Sequence, residues 1–218
     1  MAGHGAIIFV GGDSPHSSLS AHLPGDAHVI AADSGWEHAV RMGLTPNDLV
    51  GDMDSIHPVH LEQARNLGAC VIEHPRDKDF TDTEIALRRA VEAGCDHITV
   101  VSGGGDRFDH LLSMVHAMSD INLPLVAYVG TTRIEFVRPS RDLVVAAGPA
   151  RTISLVPIGG DAIGVTTSGL RWNLEDDTLR SAASRGVSNE PTHESVTVSV
   201  AEGTVAVLQP HFTGENKT

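Results

Sequence analysis

Short apolar runs alternate with longer amphipathic ones through about the first 130 residues, and that alternation restricts the fold more than any other feature. Ala6–Val10, Val29–Ala32, Asp48–Val50, Cys70–Ile72, His97–Val101 and Leu125–Val129 each read as a short buried strand. Helices are expected between them over Trp36–Met42, Pro58–Leu67, a segment capped by Thr81 or Asp82 that runs to Ala93, and Phe108–Met118. Gly43, Gly68 and Gly94 stand where those helices should stop. Strands that alternate with helices in this way form a largely parallel sheet. Such sheets bind ligands at the carboxyl ends of their strands.

After about Ser140 the pattern changes. Arg151–Pro157, Ala162–Thr167, Ser195–Val200 and Thr204–Leu208 are alternating or β-branched, with glycine-rich turns between them, and Ala201-Glu202-Gly203 reads as a tight hairpin. The expected class is α/β. An N-terminal, mostly parallel domain (1–138) should precede a C-terminal all-β sandwich (139–218). The polar tail Thr213–Thr218 is expected to fray.

Composition excludes several functions. The formal net charge is −13, which argues against a general nucleic-acid or anionic-membrane binder. No apolar run is long enough to span a bilayer, and the first residues lack a signal-peptide pattern, so a cytoplasmic location is expected. Cys70 and Cys95 lie in apolar stretches without metal-ligand spacing and read as buried free thiols. The thirteen histidines show no zinc signature and read as ordinary polar positions.

Charged and glycine-rich motifs gather at the strand ends. Gly51-Asp52-Met53-Asp54-Ser55 follows a short apolar piece and puts two carboxylates at i and i+2, on one side of an extended chain. A hard divalent ion offsets the repulsion between them, and Mg2+ keeps positions free for phosphate oxygens. Asp82, in Thr81-Asp82-Thr83-Glu84, is placed to complete the set. Asp52, Asp54 and Asp82 are therefore the candidate Mg2+ ligands.

These motifs, in this order, resemble those of the thiamine pyrophosphokinase family. The matching pieces are Ala32-Asp33-Ser34-Gly35, Gly51–Ser55, Lys78–Glu84, Gly104–His110, Gly169–Leu174 and Ser188-Asn189-Glu190. The family often has Asp-Gly-Gly where this chain has Asp33-Ser34-Gly35, which serine satisfies if its φ is negative. Asp106 is an additional charge before Arg107 and is expected to point to solvent.

The resemblance implies a Mg2+-dependent transfer of a pyrophosphoryl group from ATP to the hydroxyl of thiamine, giving thiamine diphosphate and AMP. It also implies a homodimer with the thiamine site at the subunit interface. Asp54, Asp82, Arg107 and Asp109 would be catalytic. A guanidinium at Arg107 forks two phosphate oxygens. Asp33, Lys78, Gly104, Gly105 and Arg107 would hold the nucleotide, with glycines allowing backbone close to phosphate ahead of a helix N-terminus. Asp109, Trp172, Ser188 and Asn189 would hold thiamine, Trp172 by stacking.

Three other readings compete with this one. They are a pyrophosphokinase for another small alcohol such as a hydroxymethylpterin, a non-catalytic nucleotide- or thiamine-binding regulator, and a sugar-nucleotide transferase using Asp-x-Asp.

Overall fold

The computed structural model describes residues 4–105, 107–147 and 152–212. Asp106, Arg151 and the tail Thr213–Thr218 lie outside them, and so do the expectations placed there. The chain forms two compact units that divide between Gly130 and Thr131.

The first unit carries strands β1 (Gly5–Phe9), β2 (Ala27–Ala32), β3 (Asp48–Gly51), β4 (Cys70–Glu73), β5 (His97–Ser102) and β6 (Leu125–Val129). All pair in parallel, in the spatial order β4-β3-β2-β1-β5-β6. Among the described residues a 3-10 helix (Ser17–His22) and four α-helices connect them: α1 (Gly35–Arg41), α2 (Pro58–Asn66), α3 (Asp82–Glu92) and α4 (Phe108–Asp120). Strand order reverses between β1 and β5, which opens a crevice at their carboxyl ends. The central strands are buried on both faces: Ile7, Ile8, Phe9, Ile30, Val100 and Val101 are all essentially inaccessible. The Thr81 side chain accepts from Glu84 N and starts α3.

Cys95 is buried, but Cys70 is exposed, contrary to the expectation for both thiols. The reason is topological, since Cys70 begins β4, the edge strand of this sheet.

A charged network in this unit centres on a buried acid. Asp48, at the start of β3, is only 2% exposed. Its Oδ2 accepts from His28 Nε2 at 2.8 Å and from Arg89 Nε at 2.7 Å. Burial opposes ionisation of Asp48, but the Arg89 and His28 hydrogen bonds prevail and hold the carboxyl below its ordinary value. A lowered folded pKa means that this stabilisation is present above the ordinary carboxylate pKa and is lost as pH falls through the lowered one. Asp48→Ala is expected to cost about 3 kcal/mol, because it leaves Arg89 and His28 without their shared acid. Urea titration at neutral pH measures the loss, which should shrink toward acid pH.

The second unit is all-β among its described residues. It holds β7 (Thr132–Val137), β8 (Leu143–Ala146), β9 (Ser154–Ser168), β10 (Asp177–Leu179), β11 (Ser195–Ser199) and β12 (Glu202–Gln209). Their pairings are antiparallel, in the order β7-β12-β9-β11-β8, with β10 on β9. One core contains Val137, Val145, Leu155, Val165, Leu179, Val196, Val198 and Val205, drawn from all six strands. β7 pairs with β12, so it belongs to this unit although it precedes the change in sequence character near Ser140.

Arg151–Pro157 and Ala162–Thr167 were expected as separate strands. From Ser154 onward both lie in the continuous β9. Gly159-Gly160 sits where the β9–β12 register shifts, so these glycines bend the strand instead of ending it.

Candidate active site

Loops from the carboxyl ends of β1, β2, β3 and β5 and the N-terminal turn of α3 surround a cavity of about 460 Å³ in the first unit. Asp33, Asp52, Asp54 and Asp82 all line it, together with Gly104, Gly105 and Arg107.

Oxygens of Asp33, Asp52 and Asp54 lie within 4.8 Å of one another. Asp33 takes φ +45°, an uncommon conformation that aspartate tolerates. Ser34 after it has φ −63°, so serine fits the Asp33-Ser34-Gly35 turn. Asp33 Oδ1 accepts from Met53 N at 3.2 Å, which ties the β2 end to the β3 end. Gly51 has φ +147°, and a Cβ there would fall 1.9 Å from Asp33 Oδ1. The glycine of the Gly51–Ser55 motif thus makes room for a neighbouring carboxylate.

Asp33 is buried, and burial pushes its carboxyl up to about 7. The negative charges of Asp82 and Asp52 act in the same direction, while the Met53 N–H opposes them.

Asp82 is the first residue of α3, and its Oδ1 is buried without a hydrogen bond. That oxygen lies 3.0 Å from Lys78 Nζ, an ion pair lacking hydrogen-bond geometry. Lys78 Nζ is also 3.8 Å from Asp52 Oδ2. Burial works against the Lys78 ammonium, but Asp82 and Asp52 outweigh it and raise its pKa. Arg76, two residues earlier in the same loop, contacts Asp54 Oδ2. Clustered carboxylates with a buried oxygen lacking a hydrogen bond fit a hard divalent cation.

On the opposite wall, Asp13 N donates to Gly104 O at 3.1 Å and joins the β1 loop to the β5 loop. Gly104 and Gly105 have φ +89° and +136°, which few other residues adopt. Arg107 precedes α4 and grips Asp109 with both nitrogens of its fork, Nε to Oδ1 at 2.9 Å and Nη2 to Oδ2 at 2.7 Å. The Arg107 hydrogen bonds hold the Asp109 carboxyl well below the usual range. The pair is two-thirds exposed on both sides, so the contact orients Arg107 and adds little stability.

The second unit holds the remaining predicted residues. Trp172 is 53% exposed and therefore not a core residue. Arg171 lies over its ring at 4.8 Å. Asn189 is buried, and its amide is committed to the backbone: Oδ1 accepts from Trp172 N at 3.2 Å and Glu190 N at 2.9 Å, while Nδ2 donates to Trp172 O at 2.7 Å. Asn189 thereby fixes the loop that displays the indole. Ser188 is exposed, has φ +60°, and its N–H donates to Ser154 Oγ.

Two contributors to the site escaped the sequence reading. Arg76 carried a weak signal, a second cation two residues from Lys78. His38 carried none, because a histidine in α1 is not visibly near a loop 26 residues away. Its Nε2 lies 3.1 Å from Gly12 O, on the cavity wall. Burial lowers the His38 pKa, against the Gly12 hydrogen bond, so the ring is neutral and donates from Nε2.

The comparisons with known proteins agree in both units. The family model described as "Thiamin pyrophosphokinase, catalytic domain" matches residues 22–125, and the one described as "Thiamin pyrophosphokinase, vitamin B1 binding domain" matches residues 139–205.

The chain belongs to the thiamine pyrophosphokinase family.

Thiamine pyrophosphokinase 1 of Oryza sativa subsp. japonica is 29% identical over 174 residues, a match covering 73% of this chain and 64% of that protein. The chain thus spans just under two thirds of that relative's length. Thiamine pyrophosphokinase of Bacillus subtilis (strain 168) is 24% identical over 189 residues, covering 84% of this chain and 88% of that protein. The fold is that of thiamine pyrophosphokinase crystal structures. The Bacillus subtilis protein gives a TM-score of 0.81 at 22% identity, over 94% of this chain and 98% of that one. The Candida albicans protein gives 0.80 at 14% identity, over 95% and 89%. Fold likeness persists at identities where sequence alone says little. None of the helices in the described residues is long and apolar enough to cross a membrane.

Proposed function

We propose that this chain transfers a pyrophosphoryl group from ATP to the hydroxyl of thiamine, giving thiamine diphosphate and AMP. The observation that carries the proposal is the convergence of Asp33, Asp52, Asp54, Asp82 and Arg107 on one cavity, in a chain whose two halves match the catalytic and vitamin B1 binding models.

In this reading the first unit holds Mg·ATP, and the second, a β-sandwich, holds thiamine. A homodimer with thiamine at the subunit interface and a cytoplasmic location belong to the same proposal. Asp52, Asp54 and Asp82 hold Mg2+, and the observed cluster supports adding Asp33 to them. When bound, Mg2+ neutralises charge on the transferring phosphates. Gly104 and Gly105 let backbone approach phosphate oxygens, and the Asp109 carboxylate aims Arg107 at them. Lys78 and Arg76, released from the carboxylates, are further cations for the polyphosphate.

The thiamine hydroxyl attacks the β-phosphorus in line. The bond from that phosphorus to the α–β bridging oxygen breaks, and AMP leaves. The loose transition state requires little early deprotonation, so no side chain is assigned as base. Asp109, Trp172, Ser188 and Asn189 are proposed for thiamine, Asn189 through its hold on Trp172.

An assay for AMP release, with ATP and Mg2+ and with or without thiamine, tests the reading. Thiamine-dependent AMP together with thiamine diphosphate by mass spectrometry is the expected result. AMP released only with another alcohol, such as a hydroxymethylpterin, would overturn the assignment of thiamine. Trp172→Ala should raise the thiamine KM about tenfold, in line with loss of one stacking contact, and leave the ATP KM within about twofold. Equal effects on both would make Trp172 structural.

A further inference from the structure

A second cavity, of about 380 Å³, lies in the first unit between α3 and the sheet. It has a topological origin. Helix α3 runs from edge strand β4 back to β5 and packs on β2 and β3, which leaves part of the β3–β4 face open beside it. The apolar floor is Val50 from β3, Ile72 from β4 and Ile85 from α3.

The walls carry a charge bias that is unusual for a chain of net charge −13. Lys78, Arg88 and Arg89 line the cavity with His74, against one acid, Glu92. The acids that pair the three permanent cations, Asp82, Glu84 and Asp48, are not among the lining residues. Phe80 stands at the wall, 42% exposed, with the Arg88 guanidinium 3.7 Å over its ring. A cationic, half-apolar hollow with an aromatic face selects a flat anion.

Lys78 connects this cavity to the first one. Its side chain lines the second, while its ammonium sits 3.0 Å from Asp82 and 3.8 Å from Asp52, both of which line the first.

We propose that the second cavity is a regulatory site for an aromatic anion, held by Arg88 and Phe80 and coupled through Lys78 to the carboxylate cluster. An anion in this cavity draws the Lys78 ammonium toward itself. Asp82 and Asp52 lose that partner and hold a divalent cation more tightly. Linkage requires the converse, so a bound divalent cation raises affinity for the anion by the same factor. The binding step stands on the second cavity alone, whereas the coupling rests on the metal reading of the acid cluster.

The test uses 8-anilinonaphthalene-1-sulfonate as the anion, followed by fluorescence, and Mn2+ as the cation, followed by water proton relaxation, on the full chain. Saturable binding is expected, weakened at least about fivefold by both Arg88→Ala and Phe80→Ala and not displaced by ATP. Saturating probe should tighten Mn2+ binding about fivefold, and Lys78→Met should abolish that effect while probe binding survives. Absence of binding, displacement by ATP, or indifference to both wall substitutions overturns the site. Probe binding with unchanged Mn2+ affinity overturns the coupling. Loss of Mn2+ binding with and without probe would instead strike the metal reading of the cluster.

Discussion

Asp54→Asn should fold normally, bind divalent cation weakly and lose roughly 10²–10³-fold or more in turnover. The side chain is 41% exposed in the loop after β3 and pairs with Arg76, itself 78% exposed, so no packing depends on its charge. What depends on it is the cation site, where it stands within 4.8 Å of Asp33 and Asp52. Asparagine keeps the size and one oxygen but not the charge. A thermal melt matching the parent, Mn2+ affinity reduced, and AMP release nearly gone would be the consistent set. Near-parental AMP release would remove Asp54 from the metal site.

Asp33→Asn should separate stability from function in opposite directions. Burial, then the charges of Asp82 and Asp52, push the Asp33 carboxyl up to about 7. Its folded pKa therefore exceeds its unfolded value of about 3.9. Ionisation is the disfavoured form in the folded protein, so stability falls as pH rises from about 4 to about 7 and stays low above that. Asparagine carries no such charge, still accepts from Met53 N, and tolerates φ +45°. The metal-free variant should be about 4 kcal/mol more stable than the parent at pH 8, with the advantage shrinking toward pH 4. Its Mn2+ affinity should fall at the same time. Parallel stability–pH curves for the two proteins would show that Asp33 is not buried as a strained acid.

The parallel half of the fold was legible because both faces of its central strands are apolar and three of its helices, α1, α2 and α3, end in glycine. β1 and β2 lie within two residues of their expected limits, and β6 matches at both ends. The antiparallel half was less so. β10 has three residues and depends on β9 for its identity as a strand. β7 has good alternation, but only pairing with β12 assigns it to the second unit. Gly159-Gly160 signals a break locally, and the register shift that makes it a bulge is visible only with β12 in place.

At the site, motif spacing singled out Asp52 and Asp54 in one loop and Asp82 at the start of α3; all three line the cavity, but the close carboxylate group is Asp33, Asp52 and Asp54. Asp33 joins them through the lateral order of β2 and β3, which no local pattern contains. Asn189 was legible as a polar residue near the aromatic loop. Its role in gripping the Trp172 backbone was not, since that requires two loops seventeen residues apart to meet.

Arg76 and Lys78 already occupy the rim of the acid cluster. Four carboxylates facing two side-chain cations leave a deficit that one divalent ion cancels. The acid cluster filled in this way is close to neutral, and attraction for a polyphosphate is left to Arg107 on the opposite wall. The nucleotide must then either arrive with its own counter-ion or capture Arg76 and Lys78 from their acids. In the proposed reading, metal uptake is an ion exchange, and the loop between β4 and α3 holds the ions to be exchanged.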